Sequence, residues 1–356
     1  MTLGRPLMLY KFQKIPLPKA VDDEFLNNPV SQPNNHISWV HFYVQSIKLY
    51  GILADVVSQV YGVSNCTPGI TGNESGFDMV LSIDSTISKL ETSTPDHIHW
   101  TRRQSLPPHT KVSVVFEQQT SVLHARYLHL RALLYRPIFI RYCQHMCSQE
   151  SNKDSDPVPD TDFTKVSIAI VRSLSIACVD NSIGLINRLH QYSITSSTGA
   201  WWYNVFYART AGIVVLLAMA CATLVDAVGW GNLTSTWSKC QEVLSYLQKF
   251  SPTVVPCLRG LKKLHQHVLK FQGRADQHGD TNGGYAASST TALQGGFMSP
   301  EQDVGPDFIL MAPEDLFMGS EDFGWPVGSN VALFDEIFNL DSGHITNTSA
   351  TGGNSA

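Results

Sequence analysis

Residues 112–146 read VSVVFEQQTSVLHARYLHLRALLYRPIFIRYCQHM. Within them Val115, Leu123, Tyr127, Leu130, Leu134 and Ile138 recur at steps of three, four or eight residues. That is the spacing of one face of an α-helix, and nothing in the stretch alternates with the period of two that a strand needs. Pro137 has no amide hydrogen and crowds the carbonyl four residues back, so a kink or split is expected near Tyr135. A helix this long with an apolar stripe must be covered by other helices, and the predicted fold class is all-α.

The pattern extends in both directions. Val40, Val44, Ile47, Leu49, Ile52, Leu53, Val56 and Val60 predict a helix over 37–61. Val80, Ile83, Ile87 and Leu90 predict another over 77–91, which Thr94-Pro95 ends, and a Gly/Ser/Asn loop separates the two. Downstream helices are predicted over 162–191, 200–228, 234–249 and 254–271. Pro6, Pro16, Pro18, Pro29 and Pro33 make residues 1–35 irregular. The most apolar run, 210–225, is bounded by Arg209 and Asp226 and is shorter than the ~20 residues a membrane helix needs, so it is read as a buried central helix and no membrane partner is expected.

Of the 356 residues, 43% are hydrophobic and 15% charged, the latter below the usual ~25%. This composition excludes a collagen-like or wholly disordered chain. The net charge of -5 conceals a split. Residues 1–274 hold 25 basic and 18 acidic side chains, a net +7, and residues 275–356 hold 12 acidic and no basic ones, a net -12. Such asymmetry marks an interaction tail. The seven cysteines are odd in number and form no C-x-x-C, and the N-terminus has no apolar signal region; together these predict a reduced, intracellular protein.

Catalytic signatures are missing from the sequence. It holds no Gly-Lys pair, no G-x-S-x-G, no G-x-G-x-x-G opening a helix, and no H-E-x-x-H. His97 and His99, and His265 and His267, are two apart and point away from each other on a helix. Asp154, Asp156, Asp160 and Asp162 lack the glycine and closing glutamate of a calcium loop. No enzyme activity, catalytic residue, metal site or cofactor is expected. Two weak basic clusters, Arg102-Arg103 and Arg259 with Lys262 and Lys263, read as solvated faces.

Three further stretches are more specific. The first is Leu3-Gly4-Arg5-Pro6-Leu7, with Pro16-Leu17-Pro18 and Val21-Asp22-Asp23-Glu24 after it. The second is Leu128-His129-Leu130-Arg131-Ala132-Leu133-Leu134-Tyr135-Arg136-Pro137. The third is Trp201-Trp202-Tyr203-Asn204 followed by Tyr207-Ala208-Arg209-Thr210-Ala211-Gly212. In this order and spacing they resemble the middle homology regulatory domain of fungal transcription factors of the binuclear zinc cluster family. The resemblance implies an all-α regulatory domain over 1–271, a nuclear location and control of a metabolic pathway or gene cluster. It makes Gly4, Arg5, Pro6, Tyr135, Arg136, Pro137, Trp201, Trp202 and Tyr203 structural residues. The family's six-cysteine zinc cluster has no counterpart in this sequence, and Met1 falls just before a motif that lies inside the family's domain. The domain is therefore expected to be incomplete at its N-terminus, with DNA reached only indirectly or through a missing N-terminal segment.

In physical terms, Arg136 is expected to satisfy carbonyls freed by Pro137. Trp201, Trp202, Tyr203 and Phe206 are expected to supply core area, with an aromatic-lined ligand pocket as the rival. Leu130, Leu133 and Leu134 form an L-x-x-L-L read as core packing.

Residues 272–300 are rich in Gly, Ser, Thr, Ala, Gln and Asn and read as a linker. In 301–356, Glu and Asp interleave with Phe308, Phe317, Phe323, Trp325, Phe334 and Phe338, the composition of a disordered amphipathic activation segment. Phe334, Ile337 and Phe338, with Leu340 beside them, form one face of a nascent helix suited to a partner's groove. The expected partners are transcriptional coactivators or basal machinery, and a homo- or heterodimer with related regulators. The rival readings are a non-activating protein that pairs with full-length relatives and inhibits them, and a small-molecule-sensing domain.

Overall fold

The computed structural model describes residues 16–26, 31–33, 36–61, 74–102, 111–151, 165–193 and 201–279. These form nine α-helices and no strand. They are α1 (Asp23–Leu26), α2 (Val40–Val60), α3 (Glu74–Thr92), α4 (Lys111–Ser151), α5 (Lys165–Ser193), α6 (Trp201–Met219), α7 (Ala222–Val228), α8 (Trp230–Leu247) and α9 (Val254–Gly279). The described body is all-α, as the periodicity predicts.

The long α4 is the spine. It packs most extensively on α5, and it also carries α2 and α3. Behind α5 lies α6, which touches α4, α5, α7, α8 and α9. Contact with so many neighbours explains its composition: Tyr207, Ala208, Thr210, Ala211, Gly212 and the unbroken run Val214–Met219 are all buried. A helix buried all round has no polar face to show. Gly212 makes the tightest approach possible. A Cβ there would lie 2.9 Å from the Cys240 Sγ of α8, whose thiol donates to the Ala208 carbonyl at 3.3 Å. α5 and α6 are each long and apolar enough to cross a membrane, and in α6 that character is taken up by the core.

Several expectations are corrected. The apolar run 200–228 is two helices. After Met219 the backbone turns, with Cys221 extended (φ -109°, ψ 107°). The α6 end is closed from outside: the Gln272 amide of α9 donates to the Met219 carbonyl at 2.6 Å. α9 therefore continues eight residues past the Phe271 expected as its end, reaching Gly279. α7 ends at Gly229, whose φ of 91° suits a residue without a side chain, and its amide closes on Val225 at 2.8 Å. On α4 the buried apolar residues begin at Phe116 rather than Val115. On α2 Ile47 is exposed, and Gln45 and Ser46 face inward in its place.

Before α2 the chain is held by one buried carboxylate. Asp22 accepts from the Ser38 hydroxyl (2.7 Å) and the Trp39 amide (3.1 Å), and pairs with His36 Nε2 (2.8 Å). Burial alone would raise its pKa, but the Ser38 and His36 contacts outweigh that and hold it below the ordinary value.

Candidate functional site

α4 is helical straight through Pro137, with no split at Tyr135. Pro137 cannot donate to the Leu133 carbonyl, and a buried carbonyl without a donor is costly. The donor is Tyr61, at the end of α2, whose hydroxyl reaches the Leu133 oxygen at 2.8 Å. Next to it the Cys178 thiol of α5 donates to the Ala132 carbonyl at 3.4 Å. The carbonyl freed by the proline thus has Tyr61 as a donor, where the sequence pointed to Arg136. Arg136 is itself buried, with its guanidinium 5.4 Å from the centre of the Tyr61 ring.

This interior is kept nearly uncharged. Burial pushes the Tyr61 hydroxyl up to about 12 and the Cys178 thiol up to about 12, so both stay protonated donors at neutral pH. Burial, with Arg136 nearby, lowers the imidazolium of His129 to about 3, so His129 is neutral. His129 is the meeting point of two of the motifs. Its ring lies 4.6 Å from that of Tyr207 and 5.2 Å from that of Phe206, on α6. Beside it is a cavity of about 10 Å³ lined by His129, Arg136, Ser182 and Thr210 among others. That volume holds about one water and no metabolite.

The other motif aromatics run outward from there. Tyr203 stacks on Tyr207 at 6.1 Å, and Trp201 meets Trp202 edge-on at 5.7 Å. Trp201 and Tyr203 are half-buried. Trp202 is 36% exposed, which corrects the expectation that all three serve the core. Adjacent helical positions diverge by about 100°, so a helix that buries Asn204 and Tyr207 turns residue 202 away. Leu130, Leu133 and Leu134 are buried, so the L-x-x-L-L is core.

Sequence reasoning missed a polar clamp between α3 and α4. Asp84 accepts from Arg131 Nη2 (2.7 Å) and from the Tyr135 hydroxyl, and the Tyr127 hydroxyl donates to Glu91 at 2.6 Å. Arg131 joins the halves by donating to both tyrosine oxygens at 3.0 Å. Tyr135 is a motif residue, and its role is to fasten α3. The signal was present as carboxylates seven apart on α3 facing Tyr127, Arg131 and Tyr135, four apart on α4.

The two basic clusters differ. Arg102 donates to the Thr92 and Thr94 carbonyls at 3.1 Å and pairs with Asp96 at 3.6 Å, closing the end of α3. Arg259, Lys262 and Lys263 stand on the outer side of α9, all exposed. With Gln248, Val255, Leu258 and Gln266 they line an open groove of about 450 Å³ that contains no carboxylate. Among the described residues no group of three metal-ligating side chains converges.

Gly4, Arg5 and Pro6, and Phe334, Ile337, Phe338 and Leu340, lie outside the described residues, as do 301–356 as a whole.

No protein-family model and no solved structure matches the chain. Its curated relatives are fungal transcription factors. It is 23% identical over 261 residues to sorbicillinoid biosynthetic cluster transcription factor 2 of Penicillium rubens, covering 72% of this chain and 34% of that protein. It is 24% identical over 195 residues to sorbicillinoid biosynthetic cluster transcription factor sor3 of Hypocrea jecorina, covering 54% and 27%. It is 23% identical over 206 residues to activator of stress genes 1 of Saccharomyces cerevisiae, covering 56% and 18%. The chain thus spans about a third or less of the length of these relatives.

Proposed function

We propose that this chain is a nuclear fungal transcription regulator that works by recruitment, with no chemical step. In this reading the helical body corresponds to the middle homology regulatory domain, and residues 301–356 are its activation segment. The observation that carries the reading is the likeness to fungal transcription factors, two of them factors of biosynthetic clusters, over most of the length of the body. The tail supplies the mechanism. Acidic side chains keep Phe334, Ile337 and Phe338 hydrated and available to a coactivator or the basal machinery. DNA contact comes through a partner or through a further segment of a longer chain, because no C-x-x-C-x6-C occurs here to bind zinc. Control of a biosynthetic gene cluster is the corresponding biological role.

Deletion of residues 301–342 from a chain tethered to a reporter promoter by an unrelated DNA-binding domain tests this. An activator loses its output; unchanged output would refute the tail's role.

A second reading, pairing with related regulators to inhibit them, is favoured by one feature. Tyr43, Ile47 and Tyr50 stand 48%, 45% and 39% exposed on successive turns of α2, an apolar stripe of the kind helices use to pair. The small-molecule rival gains nothing from the interior, where the cavity by His129 has room for about one water.

A further inference from the structure

The chain leaving α3 is fastened by histidines that have to be neutral. His99 is 2% exposed. Its Nδ1 accepts from the Thr101 amide (3.1 Å), the Arg102 amide (3.2 Å) and the Thr101 hydroxyl (3.1 Å). Two backbone N–H groups aimed at one ring nitrogen require a lone pair there. The proton therefore sits on the other nitrogen, which donates to the Glu91 carbonyl in the last turn of α3. One neutral ring thus ties the loop to the helix. The turn it holds also places Arg102 on the Thr92 and Thr94 carbonyls.

The neighbouring rings repeat the constraint. Trp100 stacks on His99 (4.9 Å) and on His124 of α4 (5.1 Å). His97 meets His41 of α2 at 5.0 Å and Phe116 of α4 at 5.4 Å. His124 Nδ1 and His97 Nε2 are buried and have no hydrogen-bond partner among the described residues. A proton added to either would be a buried donor with nothing to receive it. On His99 it would turn an acceptor into a donor facing two amides.

Burial is the largest influence on all three rings and disfavours the imidazolium. Arg102 adds to it at His99, His41 at His97, and Arg188 of α5 with His99 at His124. Glu91 of α3 and Asp96 pull the other way at His99, as do the Ser38 carbonyl and Asp96 at His97. The Glu91 carboxylate is itself engaged by the Tyr127 hydroxyl of α4 at 2.6 Å. The balance holds His97 and His99 below the ordinary histidine value and His124 at about 3.

We propose that residues 93–102 form a proton-gated joint, in which neutral His97, His99 and His124 hold the loop shut on α2 and α4 and mild acid releases it, uncapping α3 and baring Trp100. The joint works whether or not the tail activates transcription. In the open loop the histidines take up protons near the ordinary value of about 6.5, and in the closed one only at lower pH. The closed form is therefore fully favoured above about pH 6.5 and loses ground below it. Each ring that stays neutral when closed raises the opening constant about tenfold between pH 7.5 and pH 5.5. The clamp of Asp84, Arg131 and Tyr135 contains no histidine, so the middle of α3 stays on α4 while its last turn opens.

Hydrogen exchange of the full chain at pH 7.5 and pH 5.5, corrected for intrinsic amide rates, tests this. The protection of residues 93–102, the Thr101 and Arg102 amides included, is expected to fall about a hundredfold at pH 5.5 from His99 and His124 together. Residues 207–219 of α6 should remain protected at least about tenfold better than the joint. His124→Phe keeps the stack on Trp100, so it should leave protection at pH 7.5 unchanged and cut the response to acid about tenfold. His99→Asn keeps an acceptor near the Nδ1 position without a basic nitrogen and should cut the response by a similar factor. Should it fail to fold, His124→Phe decides alone. Protection of 93–102 that does not change with pH overturns the proposal. So does a loss that 207–219 share in full, which would be global unfolding, and so does a response of undiminished size in the folded variants.

Discussion

Arg136 and Arg259 represent two regions that use the same side chain in opposite ways. Arg136 is 8% exposed, lies over the Tyr61 ring and stands beside a neutral His129. Arg259 is exposed, with Lys262 and Lys263 on the same helix surface and no carboxylate in the groove they share. A cation inside a helical core is fixed by what surrounds it and reports on folding. A cluster left without opposite charge on an amphipathic helix contributes little to folding and remains available to something outside. Motif residues such as Tyr135, Arg136 and Pro137 therefore explain why the body folds, and the outer side of α9 is where its interactions are to be sought.

Substitutions should separate the two regions by size of effect. The largest is expected at Gly212. Gly212→Leu forces α6 away from Cys240 and α8 and should cost about 3 kcal/mol of stability, measured by denaturant unfolding. Tyr61→Phe removes the donor to Leu133 and should cost about 1–2 kcal/mol. In a Pro137→Ala background, where a backbone amide again serves that carbonyl, the loss should shrink by half or more; an additive pair in the double-mutant cycle would contradict the account of the proline turn.

Acid should act on the interior as well. His129 titrates near 3 in the folded protein and near 6.5 unfolded, so the unfolded chain binds its proton first as pH falls. The stability from this group is complete above about pH 6.5 and is lost progressively below it, by about 1 kcal/mol at pH 5.5. His129→Gln should flatten that limb of the pH–stability curve. The smallest effect on folding is expected on α9: Arg259→Ala, Lys262→Ala and Lys263→Ala together should change stability by less than about 0.5 kcal/mol. A large loss there would mean that those cations are structural like Arg136.

Periodicity carries far in this chain because helices bury one face, as in α9, where Val254, Leu258, Leu261 and Val268 are all buried at helical spacing. It fails where a helix is covered all round. The break after Met219 has no Gly or Pro to mark it, since it is set by Gln272 reaching back from α9 and by the side chains around Cys221. Ile47 was misread because α2 presents Gln45 and Ser46 inward, Ser46 accepting from Arg126 at 2.9 Å. The donor for the Leu133 carbonyl lies 72 residues upstream, at Tyr61, which no local pattern reveals. The α9 cations and the Arg102 cluster look alike as sequence, and what tells them apart is the set of Arg102 partners, the carbonyls of Thr92 and Thr94 and the Asp96 carboxylate.

The central claim is that this chain regulates transcription through Phe334, Ile337 and Phe338. Its most direct test is the output of the whole chain tethered to a reporter promoter, beside F334A/I337A/F338A at equal expression and equal thermal midpoint. Strong output that collapses in the triple variant is the predicted result. A soluble, expressed fusion without output, or one whose output survives the three substitutions, would contradict it.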